Sequence, residues 1–113
     1  LLDPNSIDPY NNLAAIYIDE AIDYEEQYRS LPIDASQKKE DRLVKKIKDS
    51  QLKALPHLEK IILLNPEDDN IANRLKQIYY QLEMYDKSKA MKRYVDSMEA
   101  GEETIALPEH LSQ

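Results

Sequence analysis

Two histidines, no cysteine and one acidic run are the first places to look for an active centre in this chain. A histidine that moves protons needs an orienting partner and a nucleophile within reach, and neither the neighbours of His57 nor the segment around His110 suggests one. Both histidines therefore read as surface or packing residues. Glu67-Asp68-Asp69 has the charge to attract a hard cation but lacks the alternating oxygen ligands and the central Gly of a calcium loop. A cluster of acids just before an apolar-periodic stretch suits a helix start instead, because the first turn of a helix carries partial positive charge. The single glycine, Gly101, leaves no phosphate-cradling loop. Zero Cys removes disulfides, thiolate nucleophiles and Cys-ligated metals together, and it fits a reducing or an oxidising compartment equally. The sequence thus reads as non-enzymatic, with no cofactor and no metal.

Lys38, Lys39, Arg42, Lys45, Lys46 and Lys48 crowd into a short stretch that could contact phosphates. No aromatic residue interleaves them, however, and the chain as a whole carries a net charge of −7, which repels polyanions. The expectation is no nucleic-acid partner. The charge is unevenly spread: residues 1–36 hold eight acids and one base, and residues 37–65 hold eight bases and four acids. Two oppositely charged neighbours stand side by side. The longest aliphatic run, Ile61-Ile62-Leu63-Leu64, is far short of the roughly 20 residues of a membrane span.

The elements that position these residues follow from composition and period. At 113 residues, 42% hydrophobic and 33% charged, the chain has the length of one domain. Abundant Leu, Ile, Lys, Glu and Ala with one Gly favours helix, so an all-α fold is expected. Leu13, Ala14, Tyr17, Ala21, Tyr24, Tyr28 and Leu31 recur in steps of three and four and predict a helix over 8–30. Tyr17, Tyr24, Tyr28 and Tyr79 are read as core residues on such stripes. Pro32 turns the chain near 31–35, and Asp34 with Gln37 has the form of a capping box for a second helix. That helix shows Val44, Ile47, Ala54, Leu58, Ile61 and Ile62 on one face, with a kink expected at Pro56. A third helix is predicted at about 69–83 and a fourth at about 86–99, with Gly101 as C-cap.

One element is written twice. Pro4 is followed by Tyr10, Leu13, Ala14 and Tyr17, and Pro66 by Ala72, Leu75, Lys76 and Tyr79 at the same offsets. Ala54, Leu58, Ile61 and Pro66 are likewise echoed by Ser88, Lys92, Val95 and Ala100. This pattern resembles the tetratricopeptide repeat, a helix–turn–helix unit of about 34 residues. The resemblance spans residues 1–100, with two departures in the last repeat: Lys76 where a small residue is usual and Lys92 where a large apolar one is usual. It is similar to repeat proteins of Bacteroidetes-type bacteria in which a long hairpin precedes a last repeat with a Lys-rich helix.

Pro4 and Pro66 are separated by one repeat plus an excess of 28 residues, and helical pattern runs on both sides of the turn. Each helix of the first hairpin is therefore expected to grow by about 14 residues, or roughly 20 Å, into an antiparallel arm. If Ala14 faces Ala54, Tyr17 meets Gln51, Ala21 meets Ile47 and Tyr24 meets Val44. The same register sets Glu20 near Lys48, Asp23 near Lys45 and Glu26 near Arg42, so the acidic and basic segments would select their own alignment.

The resemblance implies antiparallel hairpins stacked as an α-solenoid: 1–6 closing a preceding repeat, 7–68 the elongated hairpin, 69–100 a second repeat and 101–113 a tail, either free or docked as a cap. Further repeats are expected before Leu1. It implies a groove on the first helices of the repeats, lined by Asn11, Asn12, Ala15, Ile18 and Asp19, then by Asn73, Arg74, Gln77, Tyr80 and Gln81, which would hold a peptide or partner helix. The expected activity is a protein–protein interaction scaffold. The rival expectation is a structural subunit that docks or self-associates through the arm.

Overall fold

A computed structural model describes residues 8–101 and 106–111, with side chains described from Tyr10 onward. Four helices follow in order: α1 (Asp8–Arg29), α2 (Gln37–Leu64), α3 (Asp69–Gln81) and α4 (Tyr85–Glu99), with a short 3-10 turn at Glu109–Leu111. There is no strand among the described residues, and the chain is all-α. The expectations for residues 1–6 lie outside the described residues.

α1 and α2 form an antiparallel hairpin, α3 and α4 a second one, and the two meet chiefly through α2 and α3. The core sits at that junction. Ala54, Leu58, Ile61 and Ile62 of α2 are fully buried against Ala72, Leu75 and Tyr79 of α3 and Met91 of α4. Each is an apolar residue at helical spacing, and burying such a side chain contributes about 1.5–3 kcal/mol. The seam of the arm is thinner. Ala21 and Ser50 are buried there, whereas Val44, Ile47 and Tyr24 are half-buried and Tyr28 is exposed, so Tyr28 is not a core residue. Its position beyond the last buried turn of α1 leaves nothing to cover it.

The arm itself doubles back as expected, but three of its side-chain contacts fall two residues further along α2 than the register set by Ala14 facing Ala54. Lys53 lies over the Tyr17 ring at 5.9 Å and Lys46 over the Tyr24 ring at 5.3 Å. Glu20 accepts a hydrogen bond from Ser50 Oγ at 2.8 Å instead of facing Lys48. None of the three expected acid–base pairs stands at ion-pair distance, and the one ion pair among the described residues is Lys92 with Asp96 on α4. The Lys46 and Lys53 ammonium groups stand over the faces of tyrosine rings, whose negative faces attract them.

The ends of the helices show which residues stop them. Ser36, not Asp34, caps α2, accepting from the Lys39 amide at 3.3 Å. Asp68 caps α3, accepting from the Ile71 amide at 3.1 Å. α3 ends at Gln81 because Glu83 adopts φ 64°, with the Glu83 amide bonded to the Tyr80 carbonyl and the Met84 amide to the Tyr79 carbonyl. That is a Schellman closure built without glycine. Gly101 ends α4 at φ 72° in the same left-handed region. α2 is a continuous helix through Pro56, whose ring faces solvent.

The described part of the tail is docked. Pro108 and Leu111 are buried, and the His110 ring stands edge-on to Tyr79 with centroids 5.3 Å apart.

Candidate binding site

The small residues that let the hairpins close also shape a cleft between them. Ala21 of α1 and Ala54 of α2 hold α1 close to α2, and the α3 side chains Arg74, Gln77, Ile78 and Gln81 rise opposite. The resulting cleft of about 120 Å³ is floored by Ile18, Ala21, Ala54 and Ile78 and rimmed by Glu25, Gln51, Arg74, Gln77 and Gln81. Several waters or the end of one side chain would fill it.

Gln51 is the unusual member. It is 4% exposed, and its Nε2 donates to Gln81 Oε1 across the hairpin boundary. Its own Oε1 is buried and has no hydrogen-bond partner among the described residues. An unpaired buried acceptor costs about 1–3 kcal/mol. Arg74 and Glu25 put one positive and one negative group on opposite rims.

Of the ten groove residues expected, the structure brings Ile18, Arg74, Gln77 and Gln81 together in this cleft. Asn11, Asn12, Ala15 and Asp19 are exposed on α1 but do not line it, and Asn73 turns back to bond the Asp69 carbonyl at 3.0 Å. Tyr80 lies apart, 64% exposed, with its ring edge-on to Tyr85 at 5.5 Å. The cleft sits further toward the arm than the implied groove. Ala21, Ile22 and Glu25 continue the face of Ile18 by one and two turns, a spacing visible in the sequence. The expected register set Gln51 at the hairpin seam against Tyr17 but gave no sign of its reach to Gln81 of α3.

The other titratable groups are committed to packing. His57 stacks on Tyr17 with centroids 5.8 Å apart. Tyr79 donates its hydroxyl to Glu59 at 2.7 Å, and burial together with that carboxylate pushes the phenol above its ordinary range. His110 Nε2 lies 3.2 Å from the same hydroxyl, and burial, aided by Lys87, lowers its imidazole from the usual value. Tyr94 reaches the Pro66 carbonyl and ties α4 to the α2–α3 turn; burial and then the charge of Glu67 raise its phenol. Among the described residues no helix is long and apolar enough to cross a membrane, and no three acidic or histidine side chains converge on a metal-sized site. No family model, no curated protein and no solved structure matches the chain.

Proposed function

We propose that this chain is a non-catalytic protein–protein interaction module of tetratricopeptide-like stacked hairpins, which holds an extended segment of a partner in the cleft between α1 and α3. The observation that supports this reading is a cleft whose apolar floor of Ile18, Ala21, Ala54 and Ile78 is rimmed by the polar side chains of Gln51, Arg74, Gln77 and Gln81. A peptide backbone offers donors and acceptors to Arg74 and the glutamines of the rim at the same time. The apolar floor supplies the surface a non-polar side chain would cover.

Selection of peptides from a random display library tests this, using the wild-type chain as bait and Arg74→Glu with Gln77→Ala as the counter-bait. Peptides that bind the first and not the second support the reading. Binding that is indifferent to both substitutions overturns it.

A second reading, assembly through the arm, is favoured by Ile33, which stands fully exposed at the turn between α1 and α2. Under that reading Ile33→Asp abolishes partner capture and Arg74→Glu leaves it intact.

A further inference from the structure

A larger groove opens on the other side of Gln77 and Gln81. α3 and α4 enclose about 780 Å³ there, lined by Lys76, Tyr80, Tyr85, Ser88, Lys89 and Lys92 besides those two glutamines. That volume is within the range of ordinary ligand sites. Its walls are formed for a physical reason. The Ser88 hydroxyl donates to the Lys76 carbonyl at 3.0 Å, so α4 lies close to α3 at that turn and the long side chains splay outward around the contact.

The lining is unlike the rest of the molecule. The chain carries a net charge of −7, yet no acid lines this groove and three lysines do. Lys92 is paired with Asp96 at 2.9 Å, whereas Lys76 and Lys89 have no ion-pair partner among the described residues. Tyr80 and Tyr85 are 64% and 49% exposed and pack edge to face, so the apolar part of the groove is two rings fixed against each other. Lys76 and Lys92 are also the two positions where the second repeat departs from its resembled pattern. Both departures line this one groove, and positions where local sequence logic breaks in concert are where function is sought first.

We propose that the α3–α4 groove binds an acidic peptide segment carrying an aromatic or aliphatic side chain. The apolar side chain lies on the Tyr80–Tyr85 pair while the flanking carboxylates meet Lys76 and Lys89. Desolvated aromatic surface supplies the holding contact, and the lysines supply orientation and a faster encounter. This goes beyond the α1–α3 cleft, although both sites rest on the reading of the chain as a binding module.

The test uses a fluorescein-labelled Asp-Glu-Phe-Asp-Leu-Glu peptide with the full chain, followed by fluorescence anisotropy. Binding should weaken roughly tenfold on Lys76→Glu with Lys89→Glu, and should fall as salt rises from about 0.05 to 0.5 M. Tyr80→Ala should weaken it similarly, and so should replacing the peptide's acids by amides or its Phe and Leu by Ser. Lys38→Glu with Lys45→Glu changes the net charge equally, on the arm, and should leave binding intact. Circular dichroism confirms that each variant keeps its helices, and Lys76→Gln with Lys89→Gln supplies a milder variant should the charge reversal unfold.

Equal affinity for the amide peptide, or no effect of the lysine variants, overturns the proposal. Tighter binding of an oligothymidylate overturns it in favour of single-stranded nucleic acid. A concentration-dependent dimer that the same lysine variants dissolve overturns it in favour of a second copy of the chain. Arg74→Glu reports on the neighbouring cleft, so loss of library peptides there with retention of the acidic peptide separates the failure of one site from the failure of the other.

Discussion

Tyr79 donates a hydrogen bond from its hydroxyl to Glu59, 2.7 Å away across the junction of the two hairpins, from a fully buried ring. A half-buried carboxylate that loses this donor keeps its charge and loses its solvation. Tyr79→Phe should cost about 1–2 kcal/mol. In a thermal melt that is a fall of about 4–8 °C for a domain of this size. Adding Glu59→Gln should recover part of the loss, since a neutral amide is less costly to bury.

His110 rests against the same hydroxyl, and the groups facing it are Tyr79 of α3, Lys87 of α4 and Glu59 of α2. Burial and Lys87 lower its pKa, and Glu59 opposes them only in part. The unfolded chain therefore binds the proton more readily than the docked tail does. The contribution to stability is complete above the ordinary histidine pKa of about 6.5 and is lost as pH falls through the lower folded value. The protection factor of the Leu111 amide, corrected for the intrinsic slowing of exchange with falling pH, should decrease between about pH 7 and pH 5 more than elsewhere in the chain. His110→Gln should abolish that pH dependence.

The arm makes unequal use of its acids. Glu20 accepts from the buried Ser50 hydroxyl at 2.8 Å, whereas Asp23 and Glu26 are exposed and have no ion-pair partner among the described residues. Glu20→Lys should cost about 1–2 kcal/mol by orphaning Ser50, and Asp23→Lys or Glu26→Lys should stay within about 0.5 kcal/mol. Urea titration of the three single variants separates these outcomes.

Gln51 carries the opposite sign. Gln51→Leu fills the same space without an unpaired acceptor, while Gln81, being exposed, turns to water. It should raise stability by about 1 kcal/mol and remove binding in the α1–α3 cleft, the trade expected where a protein keeps a polar group for use. Gln51→Ala leaves a void and should destabilise.

Glu83 holds φ 64° at the end of α3. Glycine carries no side-chain penalty there but gains freedom when unfolded, so Glu83→Gly should stabilise by a net of about 0.5 kcal/mol. A melt that falls would show that the Glu83 side chain supports the closure.

The helices and the antiparallel arm were legible because the apolar residues of α1 to α4 recur at helical spacing and Pro32 marks the turn. The close packing of α2 on α3 followed from Ala54, Leu58, Ala72 and Leu75. The end of α3 was not legible, since a glutamate in the left-handed region leaves no mark in the sequence. Nor was the arm's register, because Lys46 and Lys53 sit over Tyr24 and Tyr17 and Ser50 engages Glu20, contacts between separate helices that no local period encodes. Half of the site was readable from Ile18, Arg74, Gln77 and Gln81. The other half depends on Gln51 reaching across to another helix, a relation between distant residues that no local period encodes.

Pro56 has no amide hydrogen, so the Leu52 carbonyl lacks its helical donor in an otherwise continuous α2. The missing bond lies between the core of the hairpin junction and the free length of the arm. About 28 Å of helix extends from Pro56 to Gln37, so a tilt of about 10° at this pivot sweeps the tip through about 5 Å. Gln51 lies on the arm side of that point and Gln81 on the second hairpin, so the amide bridge at the mouth of the cleft spans it.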